Sequence, residues 1–218
     1  MSMLANPYLF TQIGLDSGAL TQLGLVAHRF TEVGNYRGVV LLQDEIAANF
    51  GLCVDENCAA SQVNIDLTLA NNGKGSCCNT DVQTYTLHPS GYAIFHIGCG
   101  AGGYAATVGR LGQPPVFDSR VLQPGDFFTA TILRPGTYVA RCKGVPDCRI
   151  IAGYPSGRGR VAYKPPAPAR VVVGSGRFNS EVLELKPVQP VVFEIQQKAR
   201  ITIELVKPDD GPHKVKPA

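Results

Sequence analysis

Apolar and polar residues alternate in short blocks along most of the chain. In QVNIDLTLA, the residues Val63, Ile65, Leu67 and Leu69 fall on one side and the polar residues between them fall on the other. A period of two residues is that of side chains along a β-strand. Comparable blocks predict further strands at GVVLLQ, DVQTYTLH, YAIFHIG, VFDSRVL, FFTATIL and TYVARCK, and a later series at RVVVGSG, EVLELK, VVFEIQ and ARITIELV.

The order and spacing of these blocks predict an all-β fold. Pro-Gly turns separate the strands, PSG predicts a hairpin between DVQTYTLH and YAIFHIG, and DEIAANFGL is compatible with one or two helical turns. Such spacing is typical of an antiparallel Greek-key β-sandwich. We therefore expect a main sandwich over residues 37–163, a proline-rich linker at 164–169, strands at 170–206 that complete the sandwich or form a small β annex, and a tail at 207–218.

The first 36 residues carry a repeated signature at intervals of ten. FTQIGL, LTQLGL and FTEVGN each place a large apolar residue, Thr, Gln or Glu, an aliphatic residue and Gly in the same order. Glycine within each unit disfavours a continuous helix, and the apolar positions alternate too loosely for one simple strand. We interpret residues 1–36 as an extended N-terminal arm that adds to the sheet edge of a neighbouring subunit. Its expected anchors are Phe10, Ile13, Leu20, Leu23, Phe30 and Val33.

Composition and charge narrow the function classes. The chain is 44% hydrophobic and only 17% charged, with 24 Gly and 16 Pro, and its net charge is +3. Residues 149–218 hold 12 basic and 6 acidic residues, so the two parts of the chain differ in sign. This bipolar charge suits a subunit that meets its own copies, or a weak binder of anions. No segment is long and apolar enough for a membrane span, and no signal peptide is evident, which predicts synthesis in the cytoplasm and release within a particle or appendage.

Seven cysteines predict covalent stabilisation of an assembly. Two pairs bracket short loops and two cysteines are adjacent, which gives the candidate disulfides or cross-links Cys53, Cys58, Cys77, Cys78, Cys142 and Cys148. The odd seventh cysteine leaves one thiol over in an oxidising setting. A zinc site and buried free thiols are the other interpretations, but gaps of four and five residues without a second tight pair fit zinc poorly.

Two longer stretches resemble a known family of sandwiches. LQPGDFFTATILRPGTYVARC resembles the closing hairpin of cupredoxin-like domains, and RFNSEVLELKPVQPVVFEI is similar to their opening, although the order is reversed here. The resemblance implies a cupredoxin-like, jelly-roll-like or immunoglobulin-like β-sandwich. It does not imply copper, because a blue-copper site uses two His, one Cys and usually Met. After Cys142 the next histidine is His213, and the methionines are Met1 and Met3.

Three further motifs contain residue types that are found in catalytic, phosphate-binding or nucleic-acid-binding sites. His96 and Cys99 form a possible metal pair or nucleophile and base, but no third orienting residue is evident from the sequence. GCGAGGYAATVGR lacks the ending of a phosphate-binding P-loop. Arg158, Arg160 and Lys164 are too few for the usual nucleic-acid footprint, so nucleic acid is an unlikely partner.

These observations predict a non-catalytic structural subunit. Its partners would be other copies of itself or subunits of a larger assembly, docked through the arm, and no cofactor is expected. The alternative is a metal-binding or redox protein that uses Cys and His ligands such as His96 and Cys99.

Overall fold

A computed structural model describes residues 7–69, 82–154 and 163–209 of this protein. In these ranges the chain is all-β, and its only helix is the 3-10 turn Pro7–Phe10. The first strands are β1 (Gly14–Asp16), β2 (Gly24–Phe30), β3 (Gly34–Leu42), β4 (Glu45–Val54), β5 (Gln62–Asp66), β6 (Thr84–Leu87), β7 (Gly91–His96) and β8 (Tyr104–Gly109). The remaining strands are β9 (Pro115–Asp118), β10 (Phe127–Thr131), β11 (Gly136–Cys142), β12 (Val145–Ala152), β13 (Ala169–Gly174), β14 (Arg177–Phe178), β15 (Val182–Leu185), β16 (Pro190–Ile195) and β17 (Thr202–Pro208).

The described strands form three sheets. The central sheet has seven strands in the order β14-β13-β16-β10-β2-β7-β5. Two five-stranded sheets have the orders β6-β4-β3-β8-β9 and β1-β17-β11-β12-β15. Side chains from all three sheets join one hydrophobic core.

The predicted antiparallel Greek-key sandwich is wrong. The chain winds as a β-solenoid of about four turns, and its sheets mix parallel with antiparallel pairs. Between β4 and β7 the chain crosses from one sheet to the other at each step, so β4 lies parallel to β6 and β5 lies parallel to β7. The pairs β12 with β15 and β13 with β16 repeat this pattern. Alternating polarity predicts which residues are buried, but it does not distinguish parallel from antiparallel neighbours.

The strands fall into two equivalent units. Unit 1 comprises β2 to β8, and unit 2 comprises β10 to β17. In unit 1, β2 pairs with β7, β3 pairs with β4 and β8, and the two parallel pairs follow. In unit 2, β10 pairs with β16, β11 pairs with β12 and β17, and the same two parallel pairs follow. The units meet where β2 pairs antiparallel with β10 in the middle of the central sheet.

Matching residues recur at a constant interval in the sequence of the two units. Residues 102 positions apart match at Asp16 and Asp118, Ser17 and Ser119, Leu20 and Leu122, Gly34 and Gly136, and Tyr36 and Tyr138. Each tyrosine hydroxyl donates to the backbone carbonyl four residues earlier, at 2.7 Å in unit 1 and 2.8 Å in unit 2. The repeat of the molecule is therefore about a hundred residues long, and the decapeptide signature lies within one copy of it.

The strand that precedes each unit in the sequence pairs with a strand of the other unit. β1, which precedes unit 1, pairs with β17 of unit 2, and β9, which precedes unit 2, pairs with β8 of unit 1. Ser17 exchanges hydrogen bonds with Ile201, and Ser119 exchanges the equivalent bonds with Ala106. The exchange ties the units together, because each sheet is completed by chain from the other unit.

Residues 1–36 do not form the expected extended arm over their described part. They supply β1, the central strand β2 and the start of β3. Leu20 and Phe30 are buried in the core. The strand β1 pairs with β17 of the same chain, whereas the prediction was addition to the sheet edge of a neighbouring subunit.

Aromatic rings connect the layers of the core. Phe95 of the central sheet stacks on Phe117 of β9, with ring centroids 4.7 Å apart, and also contacts Phe50 of β4. In unit 2, Phe128 stacks on Phe193 at 5.9 Å. Aromatic burial of this kind supplies a large share of the apolar surface removed from water.

Two local predictions are also corrected by the structure. DEIAANFGL is not helical, because it lies almost entirely in β4 beside β3. The strands β6 and β7 are not a hairpin pair, because they belong to different sheets. The strands after residue 168 pair with β10, β11 and β12, and β17 extends to Pro208, into the segment expected to be tail.

Candidate interaction face

The central sheet buries one face and leaves the other partly in contact with solvent. The inner face carries fully buried side chains such as Val26, Phe95, Phe128 and Phe193. The opposite face, which we name the open face, presents mostly apolar side chains from five strands, and all of them except the buried Ala27 are half-buried. It comprises Leu25, Ala27, Tyr92, Ile94, Phe127, Thr129, Val172 and Val192.

The strand register aligns these side chains in rows across the sheet. One row runs Asp66, His96, Leu25, Thr129, Val192 and Arg170. The next row contains Ile94, Ala27 and Phe127, and the ring of Phe127 meets Tyr92 edge to face at 6.0 Å. The face therefore has a mostly apolar centre, the Asp66 carboxylate at its β5 edge and, towards its β13 edge, the Arg170 guanidinium in an ion pair with Glu194 of the same face.

Hydrogen bonds hold the Asp66 carboxylate at its edge position. The backbone N–H and the hydroxyl of Thr68 donate to Asp66 Oδ1 at 2.9 and 2.7 Å, and the Gly98 N–H donates at 3.1 Å. Partial burial alone would raise the pKa of Asp66, but these bonds and the nearby His96 outweigh burial and lower it. The open face keeps a negative charge at this edge near neutral pH.

His96 and Cys99 lie close to Asp66, an acidic residue that the sequence did not indicate as a third member of this group. His96 is opposite Asp66 in the β5–β7 register. The exposed Cys99 thiol instead contacts the Thr68 hydroxyl at 3.5 Å, and Asp66 is bonded to Thr68 and Gly98. These bonds organise the loop after β7 and form no nucleophile, base and carboxylate relay. In the described ranges no three His, Cys, Asp or Glu side chains group as metal ligands, and the metal alternative stays a prediction.

The six expected arm anchors have two different environments. Phe10, Ile13 and Val33 are 52%, 61% and 49% exposed. Leu20 and Phe30 are buried, and Leu23 packs against the core. The decapeptide signature thus mixes core residues with surface residues and does not mark one binding surface.

The cysteines in the described part of the chain are free thiols. Cys142 and Cys148 are buried on β11 and β12, Cys53 and Cys58 are half-buried, and Cys99 is exposed. Burial raises the pKa of the Cys142 and Cys148 thiols, which are neutral near pH 7. The predicted intrachain bonds among the described candidates are absent from this structure. Cys77 and Cys78 lie outside the described residues.

A buried polar pair at the junction of unit 1 and unit 2 was not predicted from the sequence. His28 Nδ1 lies 2.6 Å from Asp126 Oδ1, and the Gln123 N–H donates to Asp126 Oδ2 at 2.7 Å. Asp126 is almost completely buried, and the His28 ring packs against Phe30 and Phe117. The register of β2 and β10 produces this pair, and a single sequence carries no signal for that register.

The remaining candidates contribute no site. Arg158 and Arg160 lie outside the described residues, and Lys164 is exposed. No helix in the described ranges could cross a membrane. No family model, curated protein or solved structure matches this chain.

Proposed function

We propose that this protein is a structural subunit that self-associates through its open face, with a second copy of the chain as the occupant. The observation that carries the proposal is the pattern of the open face, with the Asp66 carboxylate at one edge, mostly apolar side chains in the centre and the Arg170 guanidinium, beside its ion-pair partner Glu194, at the other edge. The N-terminal segment is not the docking surface in this proposal, because its strands β1 and β2 belong to the body of the subunit.

The charge pattern favours a second copy over an unrelated partner. A twofold axis parallel to the strands, passing between β2 and β10, would set the β5 edge of one copy over the β13 edge of the other. Asp66 would then face the Arg170 of the partner copy at both ends. A self-complementary surface is what a twofold dimer requires.

The area of the open face sets the expected affinity of the dimer. Six strands about 4.8 Å apart and about 20 Å long give roughly 500 Å² per partner. Specific interfaces begin near 600 Å² per partner, so the predicted dimer is reversible and depends on concentration. The apolar centre supplies attraction, while the two charged edges fix the orientation.

The mass of the full-length protein in solution tests this proposal. We expect sedimentation velocity to show a monomer at about 1 μM and a growing dimer fraction towards about 1 mM. Ile94→Glu should shift this equilibrium towards monomer by about tenfold or more, because it buries a charge at the centre of the contact. Leu111→Glu is the matched control, since Leu111 is 88% exposed in the β8–β9 turn.

A second variant tests the charged edge. Arg170→Glu should weaken the dimer by about threefold to tenfold, and the loss should shrink at high salt because the paired charges are screened. Comparing the dimer fraction with and without reductant tests the predicted disulfide cross-link between copies, for which Cys77 and Cys78 are the leading candidates. A protein that stays monomeric at every concentration, or an Ile94→Glu dimer as stable as that of Leu111→Glu, would refute the proposal.

A further inference from the structure

The two units differ sharply in charge at one equivalent position of the repeat. In unit 2, a cavity of about 370 Å³ is lined by Arg120, Lys143, Lys198 and Arg200, over the apolar side chains of Val121 and Ala199. The repeat aligns Arg120 with Gly18, Lys198 with Gly103 and Arg200 with Ala105.

The fold itself does not require these cations. Unit 1 closes the same turn, with the same isolated bridge at Leu20 and Tyr104 that unit 2 makes at Leu122 and Ala199, yet its three aligned positions are the uncharged residues Gly18, Gly103 and Ala105. Four positive side chains around one cavity repel one another, and such an arrangement is stabilised by an anion.

Carboxylates restrain the two arginines but leave donors free. Asp16 accepts from Arg200 Nε at 3.0 Å and from Nη2 at 2.7 Å, which leaves Arg200 Nη1 without a partner among the described residues. Asp118 accepts from Arg120 Nε and Nη2, and Asp44 accepts from Arg120 Nη1, so each nitrogen of that guanidinium has a carboxylate partner. These ion pairs preorient the guanidinium groups, and they also link unit 1 to unit 2.

The two lysines are the cations that no described carboxylate neutralises. Lys143 lies in the β11–β12 turn and Lys198 in the loop before β17, and neither forms an ion pair within the described ranges. The four cations face the three carboxylates Asp16, Asp118 and Asp44, so the cluster keeps a net positive charge. Cys142 at the cavity is a buried neutral thiol and adds no negative charge.

We infer that this cavity binds a phosphate monoester that carries an apolar group. Lys143, Lys198 and Arg200 Nη1 would donate to the phosphate oxygens, and the apolar group would lie against Val121 and Ala199. A dianionic phosphate matches two unpaired lysines better than a singly charged sulfate ester does. This site is separate from the open face and does not depend on self-association.

Calorimetric titration of the full-length protein with phenyl phosphate tests the inference. We expect saturable binding at one site, weakened about tenfold or more in the variant Lys143→Gln/Lys198→Gln. Lys186→Gln/Lys207→Gln is the matched control, because it removes the same charge elsewhere on the surface and should bind like the original protein. Added salt should weaken binding, and phenyl sulfate should bind less tightly.

Three results would overturn the inference. They are no saturable binding of phenyl phosphate, equal losses in the test and control variants, and tighter binding of phenyl sulfate. All four lysines are surface residues, and circular dichroism checks that each variant is folded. The dimer equilibrium measured at the open face gives an independent readout, so failure of one proposal leaves the other tested separately.

Discussion

Single residues show where the two units differ at equivalent positions of the repeat. The pair His28 and Asp126 in the central sheet corresponds by position to Ala130 and Gly24, which face each other in the same β2–β10 ladder. One end of this ladder thus holds a buried hydrogen-bonded polar pair, and the other end holds two small residues. Removing Asp126 would take this partner from His28 Nδ1, and removing His28 would leave the buried Asp126 carboxylate with the Gln123 N–H bond alone, so either change is costly.

Asp66 makes the stability of the protein depend on pH. Its folded-state pKa lies below the ordinary value of 3.8, so it stabilises the fold fully above that value and loses its effect as the pH falls through the folded pKa. Near pH 7, Asp66→Asn should lower the free energy of unfolding by about 1 to 2 kcal/mol, because the bonds from Thr68 and Gly98 lose their charge. As the pH falls below 3.8 and through the folded pKa, the difference from the original protein should shrink.

Denaturant unfolding of both proteins across this pH range checks the expectation. Glu45→Gln is the control, because Glu45 is exposed and makes no hydrogen bond with the described residues. A difference for Asp66→Asn that stays constant or grows in acid would show that the carboxylate is not stabilised in the folded state.

At the scale of elements, the strands were predictable and their partners were not. The alternation in QVNIDLTLA places Ile65 and Leu67 in the core, as predicted, because a period of two is a local property. The open face was hidden for a related reason. Tyr92, Phe127 and Val172 lie on three strands far apart in the sequence, and only the register brings them to one surface. The repeat itself was readable, since Asp-Ser, Gly and Tyr recur 102 positions apart.

The N-terminal strands give the clearest test at this scale. Deleting residues 1–35 removes β1 and β2, and β2 lies between β7 and β10 in the central sheet. Without it the buried edges of two strands lose their hydrogen bonds and Phe95 loses its cross-strand neighbour Val26, so we expect no cooperative thermal unfolding by circular dichroism. Deleting only residues 1–12 keeps β1 and should preserve the transition. A folded monomer after the larger deletion would restore the interpretation of this segment as an arm.

For the whole molecule, the exchange of β1 and β9 explains why one chain holds two units. A unit whose sheet edge is open exposes unpaired backbone groups that invite aggregation. Here each open edge is covered by the leading strand of the other unit, and the β2–β10 pair continues the central sheet across both. The basic cavity is an added feature of this frame, because the aligned positions of unit 1 lack its cations.

This architecture predicts that neither unit is stable alone. A chain of residues 1–112 lacks β9, so Phe95 loses its stacking partner Phe117 and β8 loses its neighbour. A chain of residues 113–218 lacks β1 beside β17 and exposes β10. Each half should fail to unfold cooperatively on its own, whereas the two halves expressed together should assemble into one complex with the mass of the full chain. The cut falls in the exposed turn at Leu111, so it disturbs no strand. Two halves that fold separately and do not associate would show that strand exchange contributes little to the fold, and light scattering of the purified mixture distinguishes these outcomes.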